Sequence, residues 1–208
     1  MRAPSATDRL QPQPLAPPPS GPARTWARLV QVVDDTGERW SARLRGRGWA
    51  DACAAVLSNL ADHGVVWVAV AAWCARRRGP ARRRAVTALV VCGGASFGLN
   101  RALKGAAGRS RPSGGPAGPI GRAGRTLPVR SPTSSSFPSG HTLASFCTAV
   151  VLPARASGRA AGLAFATAVA VSRVHLRAHH ASDVLGGAAV GACLGALVRP
   201  LVDALTPE

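Results

Sequence analysis

The sequence predicts an all-α fold: an integral membrane helical bundle of about five apolar helices, with an N-terminal amphipathic helix before them. Three observations carry this expectation. Of the 208 residues, 47% are apolar, and they gather into runs separated by basic patches. Lys+Arg number 26 against 9 Asp+Glu, a formal charge of +17, with Lys104 the only lysine. The last apolar run carries Gly187, Gly191 and Gly195 at four-residue spacing, with Ala188 and Ala192 beside them. Such a small-residue ridge lets helices pack closely in lipid.

The same composition excludes several classes. The five cysteines are odd in number, widely spaced and mostly set in apolar runs, which argues against a disulfide scaffold. No CxxC pair or Cys/His cluster points to zinc, so no metal is expected. A strong positive charge fits nucleic acid or an anionic membrane surface. Nucleic-acid binding calls for a basic face, often with stacking aromatics. Here aromatics are 4% and arginines sit mainly between apolar blocks, so membrane lipids are the expected partner and nucleic acid is not.

Taken in order, residues 1–23 contain seven prolines and little apolar periodicity, the composition of a disordered tail. Residues 24–49 mix Leu29, Val30, Val32, Val33, Trp40 and Leu44 with six arginines, too charged to span a bilayer but suited to an interfacial amphipathic helix. Gly37 counts against a helix there. Residues 50–202 form the expected membrane domain and 203–208 a short tail. Its apolar segments are 52–74, which carries Asp62 and His63 in its middle, then 85–100, 140–154, 160–172 and 184–198. A helix of about 16 residues is roughly 24 Å long, short of a hydrocarbon core of about 30 Å. Flanking arginines can snorkel and extend each one. The competing reading is a soluble bundle with buried helices. Six arginines within 76–84 mark a cytoplasmic connection. Alternation then sends 101–139 and 173–183 to the other side, although 101–139 is itself arginine-rich.

The charged residues are unevenly placed. Between Asp62 and Asp203 the only carboxylate is Asp183, four residues after His179, so on a helix the two share a face. A carboxylate that holds one imidazole nitrogen leaves the other free as base or nucleophile. The plainer alternative is that Ser182 or Asp183 begins the last helix as a cap. Pro138-Ser139-Gly140-His141 opens the third apolar segment, where Ser139 and Gly140 at a helix start present free N–H groups to an anion. His141 in that first turn is placed to give a proton to a leaving oxygen. Lys104 and Arg111-Pro112 follow the second segment, and Ser172-Arg173 ends the fourth. Each cation alone reads as a snorkelling flank, but Lys offers a compact charge and Arg a fork for two oxygens.

Together, K-GAAGRS-RP at 104–112, PSGH at 138–141 and SR-VHLRA-H-HAS-D at 172–183 resemble the three motifs of the type 2 phosphatidic acid phosphatase superfamily, the lipid phosphate phosphatases related to vanadium haloperoxidases. The resemblance covers roughly residues 85–198 and implies a membrane phosphatase acting on a lipid or polyprenyl phosphate, monoester or diphosphate. It implies that Lys104, Arg111, Ser139, Gly140 and Arg173 hold the phosphate. It further implies that His179 attacks phosphorus to give a phosphohistidine, that His141 protonates the leaving alkoxide, and that Asp183 orients His179. No cofactor or metal is implied. The expected location is the cell membrane, multi-pass, with the site on the extracytoplasmic face.

Arg177, His175, His180 and His63 match no motif position, and Arg177 reads as a solvent-facing residue. The family's first span looks replaced by the charged 24–49 segment. Alternatives are a phosphotransferase of the same superfamily, a vanadate-dependent oxidation enzyme, or, from a different class, a non-enzymatic basic membrane-binding protein.

Overall fold

A computed structural model describes residues 21–62, 67–69, 72, 76, 79–112, 134–152 and 156–207. Most of the expected Pro-rich tail, His63 and the stretch 113–133 lie outside the described residues. The described part contains six named helices: α1 (Pro22–Ala42), α2 (Gly48–Ala61), α3 (Pro80–Ala107), α4 (Gly140–Val151), α5 (Ala156–His175) and α6 (Ala181–Leu205).

Local chemistry sets several of these ends. Pro22 and Pro80 stand in the first turn of α1 and α3, where a missing N–H costs nothing and the fixed φ suits a helix. Helix α3 stops at Gly108, whose φ of 55° is the left-handed C-cap conformation. That turn releases Arg109 and Arg111 toward the same end of the bundle as Lys104. Helix α6 starts with a capping box: His180 is the N-cap, and the Asp183 side chain accepts its backbone N–H at 2.9 Å. Helix α1 is continuous through Gly37. A Cβ at that position would lie 2.6 Å from the Ala181 Cβ, so the glycine lets α1 approach the start of α6 closely.

Helix α4 is the centre of the bundle and packs against α3, α5 and α6. Its residues Thr142, Leu143, Ser145, Cys147, Thr148, Ala149 and Val151 are all buried. The glycine ridge of α6 faces it. Cβ atoms built on Gly187 and Gly195 would fall 2.8 Å from the Ser139 carbonyl and 2.9 Å from the Cys147 carbonyl, and one on Gly191 would strike the Leu143 carbonyl. The carbonyls at 139, 143 and 147 thus meet the glycines at 187, 191 and 195, row against row. A side chain on that row of α6 would push the helices apart. The core continues through Trp67, Ala85, Ala88, Cys92, Ala166 and Val202.

Far from the α4 N-terminus, the helix ends are tied by arginines. Arg84 donates to the Val151 carbonyl at 3.2 Å and pairs with Asp203, and Arg199 donates to the Val150 carbonyl at 3.4 Å.

Among the described residues, two helices, α3 and α6, are long and apolar enough to cross a membrane. Only 17% and 22% of their apolar windows are buried, and Val86, Val90, Phe97, Leu185, Leu197 and Leu201 point outward. The 12 residues of α4 make about 18 Å of helix, too short to span. Its apolar side chains answer to the interior of the bundle instead.

Replacement of Gly191 by Ala is expected to destabilise the fold by about 1–3 kcal/mol, since backbone on α4 cannot yield as a side chain does. Gly98→Ala, where a Cβ meets nothing within 4 Å, is expected to be neutral or slightly stabilising. Thermal unfolding of both variants in detergent checks the contrast, and equal midpoints would contradict it.

Candidate active site

The C-terminal ends of α3 and α5 and the N-terminal ends of α4 and α6 converge at one end of the bundle. There the structure brings together the residues singled out in the sequence.

His179 lies in the turn between α5 and α6, 2% exposed. Its Nδ1 is 2.7 Å from the Ser136 carbonyl and 3.8 Å from Asp183 Oδ2. A carbonyl only accepts, so Nδ1 carries the proton and Nε2 keeps its lone pair. Arg111 Nη1 donates to that Nε2 at 3.2 Å. The closest oxygen to Nδ1 is therefore a backbone carbonyl, with the carboxylate behind it. Burial is the largest influence on the ring, and with the positive charges of Arg173 and Arg111 it outweighs Asp183 and pulls the His179 pKa down to about 4.

Asp183 is completely buried and fully occupied. Besides the His180 N–H, it accepts from the Ser136 hydroxyl and from Arg109 Nη1 at 2.6 Å. It takes part in the capping box of α6, and it stands beside His179 without being the nearest oxygen to Nδ1. The cap residue itself is His180, two residues before Ser182 and three before Asp183, because the imidazole and the Asp183 carboxylate complete the box reciprocally.

The cations surround His179. Arg111 also donates to the Ala178 carbonyl at 2.5 Å and through Nε to the Ser134 carbonyl at 3.2 Å. Burial pulls its pKa below the ordinary arginine value, against an opposing pull from Asp183, and a guanidinium still stays charged. Lys104 Nζ donates to the Ser134 hydroxyl at 3.1 Å. Arg173 is 2% exposed, donates to the Ser58 hydroxyl, and has no partner for Nε among the described residues.

Ser139 is the N-cap of α4, but its hydroxyl does not cap the helix; it accepts from Thr142 Oγ1 at 3.0 Å. Gly140 fits beneath Asn100, whose side chain a Cβ would meet at 2.9 Å. His141 Nε2 is 3.1 Å from Asp62 Oδ1.

Several participants carried no motif. Asp62, Ser58 and Asp51 of the α2 region reach His141, Arg173 and His175 respectively. A carboxylate inside an apolar segment was the one signal for Asp62. Arg177, expected to face solvent, is partly exposed and also pairs with Glu38 of α1, and Arg45 donates to the same carboxylate at 2.8 and 3.0 Å. Burial tends to raise the Glu38 pKa, but the two arginines outweigh it and lower it. Helix α1 is thus docked by ion pairs onto the site end. A cavity of roughly 540 Å³ lies between them, lined by Val30, Gln31, Asp35, Arg177, His179 and His180 among others.

The family model of the PAP2 superfamily matches residues 85–207, more than half of the chain. The chain belongs to the PAP2 superfamily. A similar solved structure is the "first transmembrane PAP2 type phosphatidylglycerolphosphate phosphatase from Bacillus subtilis", with 24% identity and a TM-score of 0.66 over 86% of this chain and 89% of that one. At that identity the likeness establishes the fold of this PAP2 protein. No curated protein sequence matches the chain.

A His179 pKa near 4 means that the neutral ring persists well below the ordinary histidine range. In ¹⁵N-histidine-labelled protein, the signals that vanish in His179→Gln are expected to stay in the neutral form between about pH 7.5 and 5.5. A midpoint near 6.5 would contradict the geometry.

Proposed function

We propose that this PAP2 protein is a multi-pass membrane phosphatase that hydrolyses a lipid or polyprenyl phosphate, monoester or diphosphate, through a phosphohistidine. The observation that carries the proposal is the His179 ring, held at Nδ1 by the Ser136 carbonyl with its Nε2 lone pair beside Arg111.

The chemistry follows from the positions. Lys104, Arg111 and Arg173 offer three positive charges to a phosphate carrying roughly two negative ones. The unpartnered Nε of buried Arg173 suits a phosphate oxygen, since a buried guanidinium without an anion is costly. Gly140 and the first turn of α4 add free N–H donors, with the Ser139 hydroxyl beside them. Nε2 of His179 attacks phosphorus as the phosphorus–oxygen bond to the lipid breaks. His141, whose Nε2–H is held by Asp62, delivers a proton from Nδ1 to the departing alkoxide, a step worth about 10²–10⁴ in rate. In the second half, water attacks phosphorus, His141 takes its proton, and the phosphorus–nitrogen bond breaks to release inorganic phosphate. Asp183 stabilises the positive charge that the His179 ring acquires. The cations supply the charge stabilisation that the transition state requires.

Arg82, Arg83 and Arg84 stand in the first turns of α3, at the end of the bundle away from His179, and three more arginines, Arg76 to Arg78, precede them in the sequence. The positive-inside rule puts that end in the cytoplasm and the site on the extracytoplasmic face. The name of the Bacillus subtilis protein makes phosphatidylglycerophosphate one substrate to test, together with phosphatidate, polyprenyl phosphate and polyprenyl diphosphate.

Purified protein in detergent with EDTA is expected to release inorganic phosphate from at least one of these lipids. His179→Ala is expected to abolish release, and His141→Ala to lower it by about 10²–10⁴. Full activity in His179→Ala would sink the mechanism.

A further inference from the structure

Arg109 sits inside the Lys-x6-Arg-Pro stretch at a position to which the motif assigns nothing, yet both its backbone and its side chain are bonded into the site. Its backbone N–H donates to Ser135 Oγ at 3.1 Å, and its carbonyl accepts the Ser136 N–H at 2.8 Å. These bonds fasten the segment whose Ser136 carbonyl holds His179 and whose Ser136 hydroxyl reaches Asp183. The side chain then turns to α6. One nitrogen, Nη1, donates to Asp183 Oδ1 at 2.6 Å and to Ser182 Oγ at 2.7 Å. The other, Nη2, donates to Asp34 Oδ2 of α1 at 2.6 Å, while Asp34 Oδ1 accepts the Ser182 N–H at 2.8 Å.

The planar fork therefore spans two carboxylates from different helices, a geometry that lysine cannot reproduce. Asp34 keeps one arm of the guanidinium occupied and so keeps the other aimed at Asp183. Without it, Arg109 would be free to leave Asp183 for a phosphate in the neighbouring cation cluster.

We propose that Arg109, anchored by Asp34, is a positioning residue that sets Asp183 and the Ser136 carbonyl against His179, making the amphipathic helix α1 a working part of the active site. The inference rests on the proposed phosphatase function. A catalytic ring displaced by about 1 Å can lose about 10²-fold in rate, so the effect belongs in kcat.

The test uses the full chain in detergent–lipid micelles, with phosphate release measured over a range of lipid phosphate concentrations. Asp34→Asn and Arg109→Gln are each expected to lower kcat by about 10–100-fold with KM within about threefold, as for a group that acts in the transition state. Because Asp34 acts through Arg109, the double variant is expected to fall no further than Arg109→Gln alone. Arg109→Lys, which keeps the charge and loses the fork, is expected to lie between Arg109→Gln and the unaltered protein. Arg39→Ala, on α1 and bonded among the described residues to Thr36 of its own helix, is expected to leave kcat unchanged. Helix content by circular dichroism identifies any variant that fails to fold; if that is Arg109→Gln, the isosteric Asp34→Asn and Arg109→Lys decide the matter. Unchanged kcat in Asp34→Asn and Arg109→Lys, or single losses that multiply in the double variant, would overturn the inference. If His179→Ala is inactive in the same assay the phosphatase mechanism survives that failure, whereas an active His179→Ala defeats the mechanism itself.

Discussion

A carboxylate with no solvent exposure must be answered by several donors at once, and Asp183 meets that demand from three directions. Its own helix supplies the His180 N–H, the segment before α4 supplies the Ser136 hydroxyl, and the turn after α3 supplies Arg109. Leaving a buried charge with a partner missing costs several kcal/mol, so the three segments are held in one arrangement rather than a range of them. His179 inherits its position from that arrangement. The ring is fixed by the same Ser136 whose hydroxyl serves Asp183. The cap of a helix and the alignment of the His179 ring are thus parts of one network.

The network forms only if α4 and α6 come very close. The glycines at 187, 191 and 195 permit this by presenting bare backbone to the carbonyls of Ser139, Leu143 and Cys147. The first of these pairs lies at the site itself, next to the N-cap of α4, where Ser139 N also donates to the Asp183 carbonyl at 3.1 Å. Close packing and chemistry are therefore coupled along one ridge. Farther down, the Arg84 and Arg199 contacts to α4 carbonyls hold the other end of the short helix.

Much of the site was legible in the sequence because phosphate chemistry uses few residue types in a set order. Lys104, Arg111, Ser139, Gly140, His141, Arg173, His179 and Asp183 do gather at one end of the bundle. The ridge was legible too, since its spacing is a helical repeat. Less legible were partners whose only signal is spatial. Ser58 and Ser136 carry no local pattern that separates them from ordinary polar residues, and Asp62 stood out only as a carboxylate inside an apolar segment. Arg177 looked like a solvent residue, because nothing in its neighbourhood along the chain announces Glu38, more than a hundred residues earlier. Five apolar runs left the number of spans open, because hydropathy does not distinguish a helix facing lipid from a short one enclosed by its neighbours, as α4 is.

The sequence by itself determined an all-helical chain, its family, and the residue types and spacings of the three motifs on which the proposed phosphate chemistry rests, because these depend on residue type and on spacing along one chain. Tertiary structure decided which oxygen holds His179, which helices face outward, and that the basic N-terminal segment docks on the site. Those outcomes depend on distances between groups far apart in the chain. An Asp34 that reaches Arg109, and an Arg109 that reaches Asp183, exist only once three helices have met.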